Sequence, residues 1–391
     1  MSFIEVSIVM PCLNEADTVA VCVQKACKAL HDAQIVGEVV VADNGSTDGS
    51  QKLAQQAGAR VVPVALKGYG NALMGGIEAA YGRYIIMGDA DDSYDFLQTP
   101  RFVEKLREGY DIVQGCRLPS GGGQVMPGAM PVLHRWFGNP MFSFLARWWF
   151  RAPIHDIYCG LRGFSKDWYV QLNQRCVGME FATEMIIKSS LMKAKIAEIP
   201  ITLHPDGRKA HPPHLRTFRD GWRTLRFFLM YTPRWLFLLP GVLLMLLGCL
   251  GYGVAFLPLI LPLPLFLASG FDLSFLLIAS LMLICGYQSV WFSIFAKTFA
   301  VMEDLMPESP GYQLFFRYAT IERGIVLALG ILIIGLGLIF GALSGWATAT
   351  VNSGDMGSKI SLLIAGVTIV AVGFQTMLSS FFVSLLGLKR R

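Results

Sequence analysis

The chain has 391 residues, of which 53% are hydrophobic and 16% charged, with a formal net charge of +5 and a mean hydropathy of +0.49. A soluble domain of this size carries about 25% charged residues, so the composition excludes an ordinary soluble enzyme. Residues 1–234 hold 26 Lys/Arg and 22 Asp/Glu, whereas residues 235–391 hold only 7 and 6, so a polar N-terminal part is joined to an apolar C-terminal one.

Met1 to Pro11 is short, carries Glu5 and runs straight into a strand-like segment. No signal peptide is expected, and the first domain is expected to stay where it is made. VSIVMP (6–11) predicts a strand, followed by a helical pattern through Ala29, and EVVVAD (38–43) predicts a second strand. Ser46-Thr47-Asp48 can cap a helix reaching Gly58, before a strand RVVPV (60–64) and a helix around 71–81. RYIIMGD (83–89) is a fourth strand, with a helix near 100–108 and a strand DIVQG (111–115) beyond it. Continuous apolar strands separated by helices mean a parallel sheet covered on both faces. In such sheets ligands bind beyond the carboxyl ends of the strands.

Those strand ends carry the chemistry. Pro11, Asn14 and Glu15 follow the first strand, Asp43, Asn44 and Asp48 the second, and Asp89, Asp91, Asp92 and Asp95 the fourth. A single acidic loop is usually a solvated turn, but three such strand ends present carboxylates to one edge. In GDADDSYD, Asp89 and Asp91 at i and i+2 offer hard oxygen ligands suited to Mg²⁺ or Mn²⁺, ions that bridge protein carboxylates and substrate phosphates. Such an ion would neutralise charge developing on a pyrophosphate leaving group. KGYGNALMGG (67–76) is glycine-rich but has Leu73 where GxGxxG needs its third glycine, and it does not match the P-loop. Its glycines read either as close backbone approach to a ligand or to the Asp89–Asp91 strand, or as a tight turn.

HPDGRKAHPPH (204–214) is a basic Pro/Gly-rich loop placed to close over phosphates. A zinc site from His204, His211 and His214 is the competing reading, without Cys partners or regular spacing to support it. In LRTFRDGWRTLRFFL (215–229), Arg216, Arg219, Arg223 and Arg226 fall within about 80° of a helical wheel, beside a stripe of Phe218, Trp222, Leu225 and Leu229. This suits a helix lying in the headgroup layer. Beyond it, windows 235–271, 273–296, 324–354 and 360–388 contain no charged residue, and each can supply one span of roughly 20 residues. Pro258, Pro262 and Pro264 leave open a second crossing or a re-entrant turn in the first window. If that window spans once, the N-terminal domain, Lys297, Arg317, Arg323 and the Lys389-Arg390-Arg391 tail share one side, leaving only Lys359 as a basic loop residue opposite. That bias places both termini in the cytoplasm. The eight cysteines show no CxxC pair and no zinc spacing, and read as free thiols in a reducing compartment.

PCLNEAD, ADNGSTDGS, KGYGNAL and MGDADDSYD, in this order and spacing, resemble the nucleotide-sugar half of family 2 glycosyltransferases of the GT-A fold. Followed by a membrane C-terminus, they resemble in particular polyprenyl-phosphate glycosyltransferases of the dolichyl-phosphate mannose or glucose synthase type. The resemblance covers residues 5–230. It implies an α/β GT-A (Rossmann-like, mostly parallel) domain over 1–214 and an amphipathic interfacial helix over 215–230. A membrane domain over 231–391 would follow, with four transmembrane helices near 235–257, 273–296, 324–346 and 360–387.

By the same resemblance Pro11, Asn14, Glu15, Asp43 and Lys67 hold the donor, Asp89 lies at its ribose and diphosphate, and Asp91 is the principal metal ligand and a catalytic residue. Relatives often place Gln two residues after Asp91, where this chain has Ser93, which leaves a third ligand open. Arg117, His134, Arg135 and Asn139 match positions that contact the acceptor phosphate, and Arg117 and Asp156 match the reaction centre. Asp156 reads equally well as a turn cap or a partner of Arg162, and Glu184 in MEFATEM reads first as a helix-surface residue and second as one that helps shape the site. Independently of the family, a lipid monophosphate has a second pKa near 6. It is largely ionised at cytosolic pH and needs cations such as Arg117, Arg135, Arg208 and Lys209 more than a strong base.

The implied reaction is inverting transfer of a hexose from a nucleotide sugar, UDP-glucose before GDP-mannose, to undecaprenyl or dolichyl phosphate. Mg²⁺ or Mn²⁺ is the expected cofactor. The expected location is the cytoplasmic (inner) membrane, with no nucleic-acid partner and the homo-oligomeric state open. Two alternatives stand beside it. A processive polysaccharide synthase usually carries QxxRW, of which only TPRW (232–235) is present, and a non-catalytic membrane scaffold is disfavoured by the intact Asp89 and Asp91.

Overall fold

The structure, a computed structural model, describes residues 4–208, 217–260, 273–303, 305–347 and 353–387. Its contacts divide the chain into two units, Met1–Phe227 and Phe228–Arg391.

In the first unit β1 (Val6–Cys12), β2 (Gly37–Asp43), β3 (Arg60–Pro63), β4 (Tyr84–Met87) and β5 (Ile112–Cys116) alternate with α1 (Val19–Asp32), α2 (Ser50–Gln56), α3 (Tyr69–Ala79) and α4 (Thr99–Arg107). After them come β6 (Gln124–Val125), α5 (Asn139–Phe150), β7 (Arg162–Ser165), α6 (Lys166–Leu172), α7 (Glu180–Leu191), β8 (Ile196–Pro200), β9 (Thr202–Leu203) and α8 (Thr217–Met230), the last running past the unit boundary. Seven strands form one sheet in the order β3-β2-β1-β4-β7-β5-β8, with β7 antiparallel to both neighbours and every other pairing parallel. β6 and β9 make a small second sheet.

Successive strand residues point to opposite faces, and both faces are packed. Val6, Ile8, Met10 and Cys12 of β1 join Val19, Cys22, Val23 and Ala26 of α1 and Phe102, Val103 and Leu106 of α4 in one core. On the other face α3 lies so close that a Cβ on Gly76 would sit 2.6 Å from a Val9 methyl. This double cover is why the strands read as unbroken apolar runs, and it brings the carboxyl ends of β1, β2 and β4 to one edge. One expected detail differs. The helix after β2 starts at Ser50 behind Gly49 in a left-handed conformation (φ 89°), not behind Ser46-Thr47-Asp48, because Ser46 and Thr47 are held in the preceding turn by Asp43 and Asn14 while Asp48 accepts from the N–H groups of Ala16 and Ser50.

The second unit holds α9 (Leu239–Ile260), α10 (Leu273–Met302), α11 (Pro310–Tyr318), α12 (Ile321–Ala347) and α13 (Ser353–Leu386). Among the described residues four segments are long and apolar enough to cross a membrane: Arg234–Phe256, Leu273–Met302, Ile321–Ser344 and Gly357–Leu386. Pro262 and Pro264, on which a second crossing in the first window depended, lie outside the described residues. Without a hydrophobic drive between helices in lipid, small residues and polar contacts hold such bundles. Gly241 backs onto Gly286 and Gly335 onto Gly366. The Tyr252 hydroxyl meets Ser280 Oγ at 2.6 Å and donates to Thr368 Oγ1 at 2.8 Å.

Candidate active site

The carboxylate edge begins where β1 turns. Asn14 takes a left-handed conformation (φ 60°), its N–H donating to Ser46 Oγ at 2.9 Å and its Oδ1 accepting from Thr47 N at 2.9 Å. This ties the first strand end to the second. Asp43 is buried and its carboxylate accepts from the N–H groups of Gly45 and Ser46 and from Gln51 Nε2. Pro11 pairs with Ala42 across the same two strands. Lys67 donates to the carbonyl of Asn44, whose amide in turn reaches Val64 O, Leu66 O and the N–H of Gly68.

Asp89 and Asp91 follow β4. The Tyr69 hydroxyl donates to Asp89 Oδ1 at 2.9 Å. Burial, reinforced by the charge of Asp91, pushes the Asp89 carboxyl above the ordinary carboxylate range, against the hydrogen bond from Tyr69 and the charges of Arg208 and Arg117. Asp91 Oδ1 accepts from Ser93 N at 3.0 Å and Ser93 Oγ at 2.6 Å. Asp91 Oδ2 faces an Arg208 terminal nitrogen at 3.2 Å. Ser93 therefore orients Asp91. Asp92 is turned aside in a left-handed conformation (φ 62°), its carboxylate on Lys25 at 2.7 Å.

Arg208 links the strand ends. Its guanidinium reaches Glu15 at 2.8 Å as well as Asp91, with a side chain only 14% exposed. The segment carrying it is laid on the aspartate loop by Gly207 N to Asp91 O at 2.9 Å and His204 N to Ser93 O at 3.0 Å. Lys209, His211 and His214 lie outside the described residues, and the zinc reading goes with them.

Gly68 and Gly70 of KGYGNAL pack against the backbone of Cys176 and Val177. Gly70 and Asn71 donate their N–H groups to Val177 O at 3.0 and 3.3 Å. A Cβ on Gly68 would lie 2.5 Å from that carbonyl, and one on Gly70 2.4 Å from Cys176 O. The loop they receive is anchored by Glu184, which is fully buried in α7 and so not the helix-surface residue expected. Its carboxylate accepts from the N–H groups of Arg175 and Cys176 and pairs with buried Lys188 at 2.9 Å. The chain of contacts from Glu184 through residues 175–177 to Gly70 thus fixes Tyr69, and Tyr69 fixes Asp89.

A second cluster follows β5. Arg117 and Asp156 form a buried bidentate pair, Nε to Oδ2 at 2.7 Å and a terminal nitrogen to Oδ1 at 2.9 Å, with the Arg117 N–H on Oδ2 at 3.0 Å. Burial opposes the Arg117 charge, but Asp156 more than offsets it and raises the guanidinium above its ordinary range. The remaining terminal nitrogen faces the Tyr94 hydroxyl at 3.4 Å. Asp156 does not pair with Arg162. That residue is wholly buried and spends its guanidinium on the carbonyls of Ile157, Cys159 and Ala182. Gln114 holds Asp156 O and Cys159 O, and Glu198 accepts from the N–H groups of His155 and Asp156 and meets His155 Nδ1 at 2.7 Å. The loop is thereby preorganised from several elements.

His134, Arg135 and Asn139 sit on the turn His134–Gly138 and the first residue of α5. The Arg135 guanidinium lies 5.3 Å over the Trp136 ring, and Asn139 Nδ2 donates to Met130 Sδ at 3.3 Å. α5 connects to the Asp156 loop through Ser143 Oγ, which accepts from Ile157 N, and Arg147, which donates to Ile154 O. In α8 Arg223 pairs with Glu180 at 3.3 Å and Trp222 is exposed. All eight cysteines are free thiols.

Tyr69, Tyr94 and Glu198 are absent from the sequence-predicted set. Among the described residues no three His, Cys, Asp or Glu side chains converge on one point. Asp89 and Asp91 still fit a divalent cation. Their donors are hard oxygens, a positive group already rests on Asp91 Oδ2, and Mg²⁺ completes its shell with phosphate oxygens and water.

A mostly parallel sheet with carboxylates gathered at its strand ends defines a GT-A transferase domain. The family model for glycosyl transferase family 2 matches residues 7–172, and that for the family 2 C-terminal transmembrane region matches residues 294–387. A low-salt glycan biosynthesis hexosyltransferase from Haloferax volcanii is 34% identical over 384 residues, covering 97% of this chain and 89% of that protein. A dolichyl-phosphate hexose transferase from the same organism is 30% identical over 184 residues, 47% of this chain and 76% of its own. Among solved structures, glucosyl-3-phosphoglycerate synthase from Mycobacterium tuberculosis with Mg²⁺ and UDP aligns over 58% of this chain and 79% of its own, at 20% identity and a TM-score of 0.46. The chain belongs to glycosyltransferase family 2, and it is a membrane-associated glycosyltransferase.

Proposed function

We propose that the protein transfers a hexose from a nucleotide sugar, UDP-glucose in preference to GDP-mannose, to a polyprenyl phosphate of the undecaprenyl or dolichyl kind. The observation that carries this reading is the joining of Asp89 and Asp91, at the carboxyl edge of the sheet, to a chain that continues into four membrane-length helices. The donor is water-soluble and the acceptor lives in the bilayer, so one polypeptide must serve both phases. The names of the two Haloferax relatives support a hexose as the group moved and, in one case, dolichyl phosphate as its acceptor.

The lipid phosphate is largely ionised above its second pKa of about 6. Its oxygen attacks the anomeric carbon, the bond from that carbon to the donor diphosphate breaks, and the electron pair leaves with the nucleoside diphosphate. No strong base is required, which agrees with an Asp156 whose two oxygens are both occupied by Arg117. Asp156 holds Arg117 so that its outer edge, beside Tyr94, meets the acceptor phosphate. His134, Arg135, Asn139 and Lys209 draw the phosphate in, and Arg208 turns to the diphosphate. Pro11, Asn14, Glu15, Asp43 and Lys67 form the nucleoside side of the pocket. Asp89 and Asp91 would hold Mg²⁺ or Mn²⁺, which neutralises the departing diphosphate when bound. The domain boundaries follow the same reading: a catalytic domain over 1–214, an interfacial helix over 215–230 and a four-helix membrane domain over 231–391. The catalytic domain and both termini lie on the cytoplasmic side of the inner membrane.

The test is purified protein with radiolabelled nucleotide sugars, Mg²⁺ and polyprenyl phosphate, with the lipid extract resolved by chromatography. A single-sugar lipid phosphate is expected. A folded preparation that yields no lipid-linked product with any donor ends the proposal.

A further inference from the structure

The two oxygens of Asp91 are not equivalent. Oδ1 is turned into its own loop, accepting from the N–H and hydroxyl of Ser93 at 3.0 and 2.6 Å. Oδ2 is the oxygen left for a cation, and an Arg208 terminal nitrogen lies on it at 3.2 Å. The same guanidinium grips Glu15 through Nε at 3.0 and 2.9 Å to the two carboxylate oxygens, and through its terminal nitrogen at 2.8 Å. Asp206 stands further off at 3.9 Å. Lys25, also at this loop, is committed to Asp92. A divalent ion approaching Asp91 by itself must therefore dislodge a largely buried guanidinium and strand it beside two carboxylates.

The outcome changes when the ion arrives with a diphosphate. A planar guanidinium pairs with phosphate oxygens as well as with carboxylates, so the displaced Arg208 gains a new anionic partner as it loses the old one. The backbone allows this exchange without moving the segment, because Gly207 N and His204 N keep their bonds to Asp91 O and Ser93 O while only the side chain beyond them swings.

We infer that Arg208 is a specificity-determining residue that makes Asp91 accept a divalent cation together with a nucleotide diphosphate and resist the bare ion. The inference rests on the reading of Asp91 as the cation-holding residue of the donor site. It makes cation and nucleotide bind with positive coupling, and that coupling is reciprocal. Arg208 becomes available to the diphosphate only in the act of cation binding.

The experiment measures Mn²⁺ binding by electron paramagnetic resonance to the full-length protein in detergent. It is run alone and with saturating UDP or GDP, whichever nucleotide raises the Tm. In the wild type, bare Mn²⁺ binds weakly and the nucleotide tightens it more than about tenfold. In Arg208→Gln, bare Mn²⁺ binds about tenfold tighter than in the wild type, as expected on removing one charge-assisted competitor, and the effect of nucleotide shrinks in proportion. Arg208→Met, of similar length and without charge, repeats the test should the glutamine variant melt early. Equal bare-Mn²⁺ affinities in the wild type and these variants overturn the proposal. Asp91→Asn separates the two readings. If it abolishes Mn²⁺ binding in the presence of nucleotide, the donor-site reading stands whatever Arg208 does; if it leaves that binding intact, the reading of Asp91 fails and takes the competition with it.

Discussion

Replacing Asp156 with alanine removes the acceptor of four donors at once: the Arg117 N–H, its Nε, one of its terminal nitrogens, and the Tyr158 N–H at 3.3 Å. Asp156 is fully buried and the Arg117 side chain is 9% exposed, so the guanidinium charge stays in place with the Tyr94 hydroxyl at 3.4 Å. Breaking a buried ion pair from one side costs about 3–5 kcal/mol, a large share of the ~5–15 kcal/mol that holds a domain. For a unit of this size each kcal/mol moves Tm by about 2–4 °C, so the N-terminal transition falls by about 6–20 °C. Calorimetry of the full-length protein in detergent reads this, with the N-terminal transition identified as the one that nucleotide raises. The double variant Arg117→Met/Asp156→Leu removes both charges together and recovers most of the loss, because replacing a buried pair by apolar groups is far cheaper than orphaning one member. On the proposed function it does not recover transferase activity, since the acceptor phosphate would then meet no cation at this position. A fall under about 2 °C for Asp156→Ala, or a double variant as unstable as the summed singles, refutes the pair as one coupled buried unit.

Ser93→Ala removes the hydroxyl from Asp91 Oδ1 and leaves it only the backbone N–H of its loop; it lowers Mn²⁺ affinity in the presence of nucleotide about 10- to 100-fold, as losses behind a metal ligand do, with Tm nearly unchanged, and titration by electron paramagnetic resonance checks it. Gly70→Ala drives a methyl group against the Cys176 carbonyl, a backbone atom that cannot step aside, and costs about 1–3 kcal/mol, read as a lower Tm with weakened nucleotide binding. Glu184→Gln leaves buried Lys188 without its carboxylate and destabilises by about 3–5 kcal/mol, while Glu184→Gln/Lys188→Met regains most of it in denaturant unfolding. Burial pushes the Asp48 carboxyl up, yet the Ser50 hydroxyl and the N–H groups of Ala16 and Ser50 hold it below its ordinary value. Its contribution to stability is therefore present above about pH 4 and is lost as pH falls through the lower folded value. Asp48→Asn abolishes that part of the acid dependence, measured by denaturant midpoints across pH.

The sheet was legible because its strands are covered on both faces. Val6 to Met10 and Val39 to Ala42 are buried without interruption, and such positions take apolar residues apart from Ser7, whose hydroxyl donates to Glu38 Oε1 at 2.7 Å. β7 was not legible. RGFS is four residues long, holds a glycine and begins with an arginine, yet it lies between β4 and β5 in the sheet. Arg162 survives there because backbone carbonyls of Ile157, Cys159 and Ala182 satisfy its guanidinium, and no spacing in the sequence announces carbonyl partners. Glu184 was misread for a related reason. Glu and Lys at i and i+4 normally mark a solvated helix face, but Phe181 through Ser189 are all buried. No signal in the sequence opposed that reading, because Glu180, Glu184 and Lys188 share one helical stripe.

The candidate site divides along the same line. Asp89 and Asp91 are visible because both carboxylates sit on one strand end, where a two-residue spacing carries the message. Their controls come from elsewhere in the chain. Tyr69 reaches Asp89 across 20 residues, and Arg208 reaches Glu15 across 193. Whether a carboxylate at a strand end is open to a cation depends on which of its oxygens is already taken, and that is decided by the folded neighbour, not by the motif. Asp91 and Asp92 are adjacent and chemically identical, yet one is held by Ser93 with an oxygen toward Arg208 while the other is turned away onto Lys25. A sequence pattern therefore identifies the carboxylates present at this edge of the sheet, and the long-range cations decide which of their oxygens are already engaged.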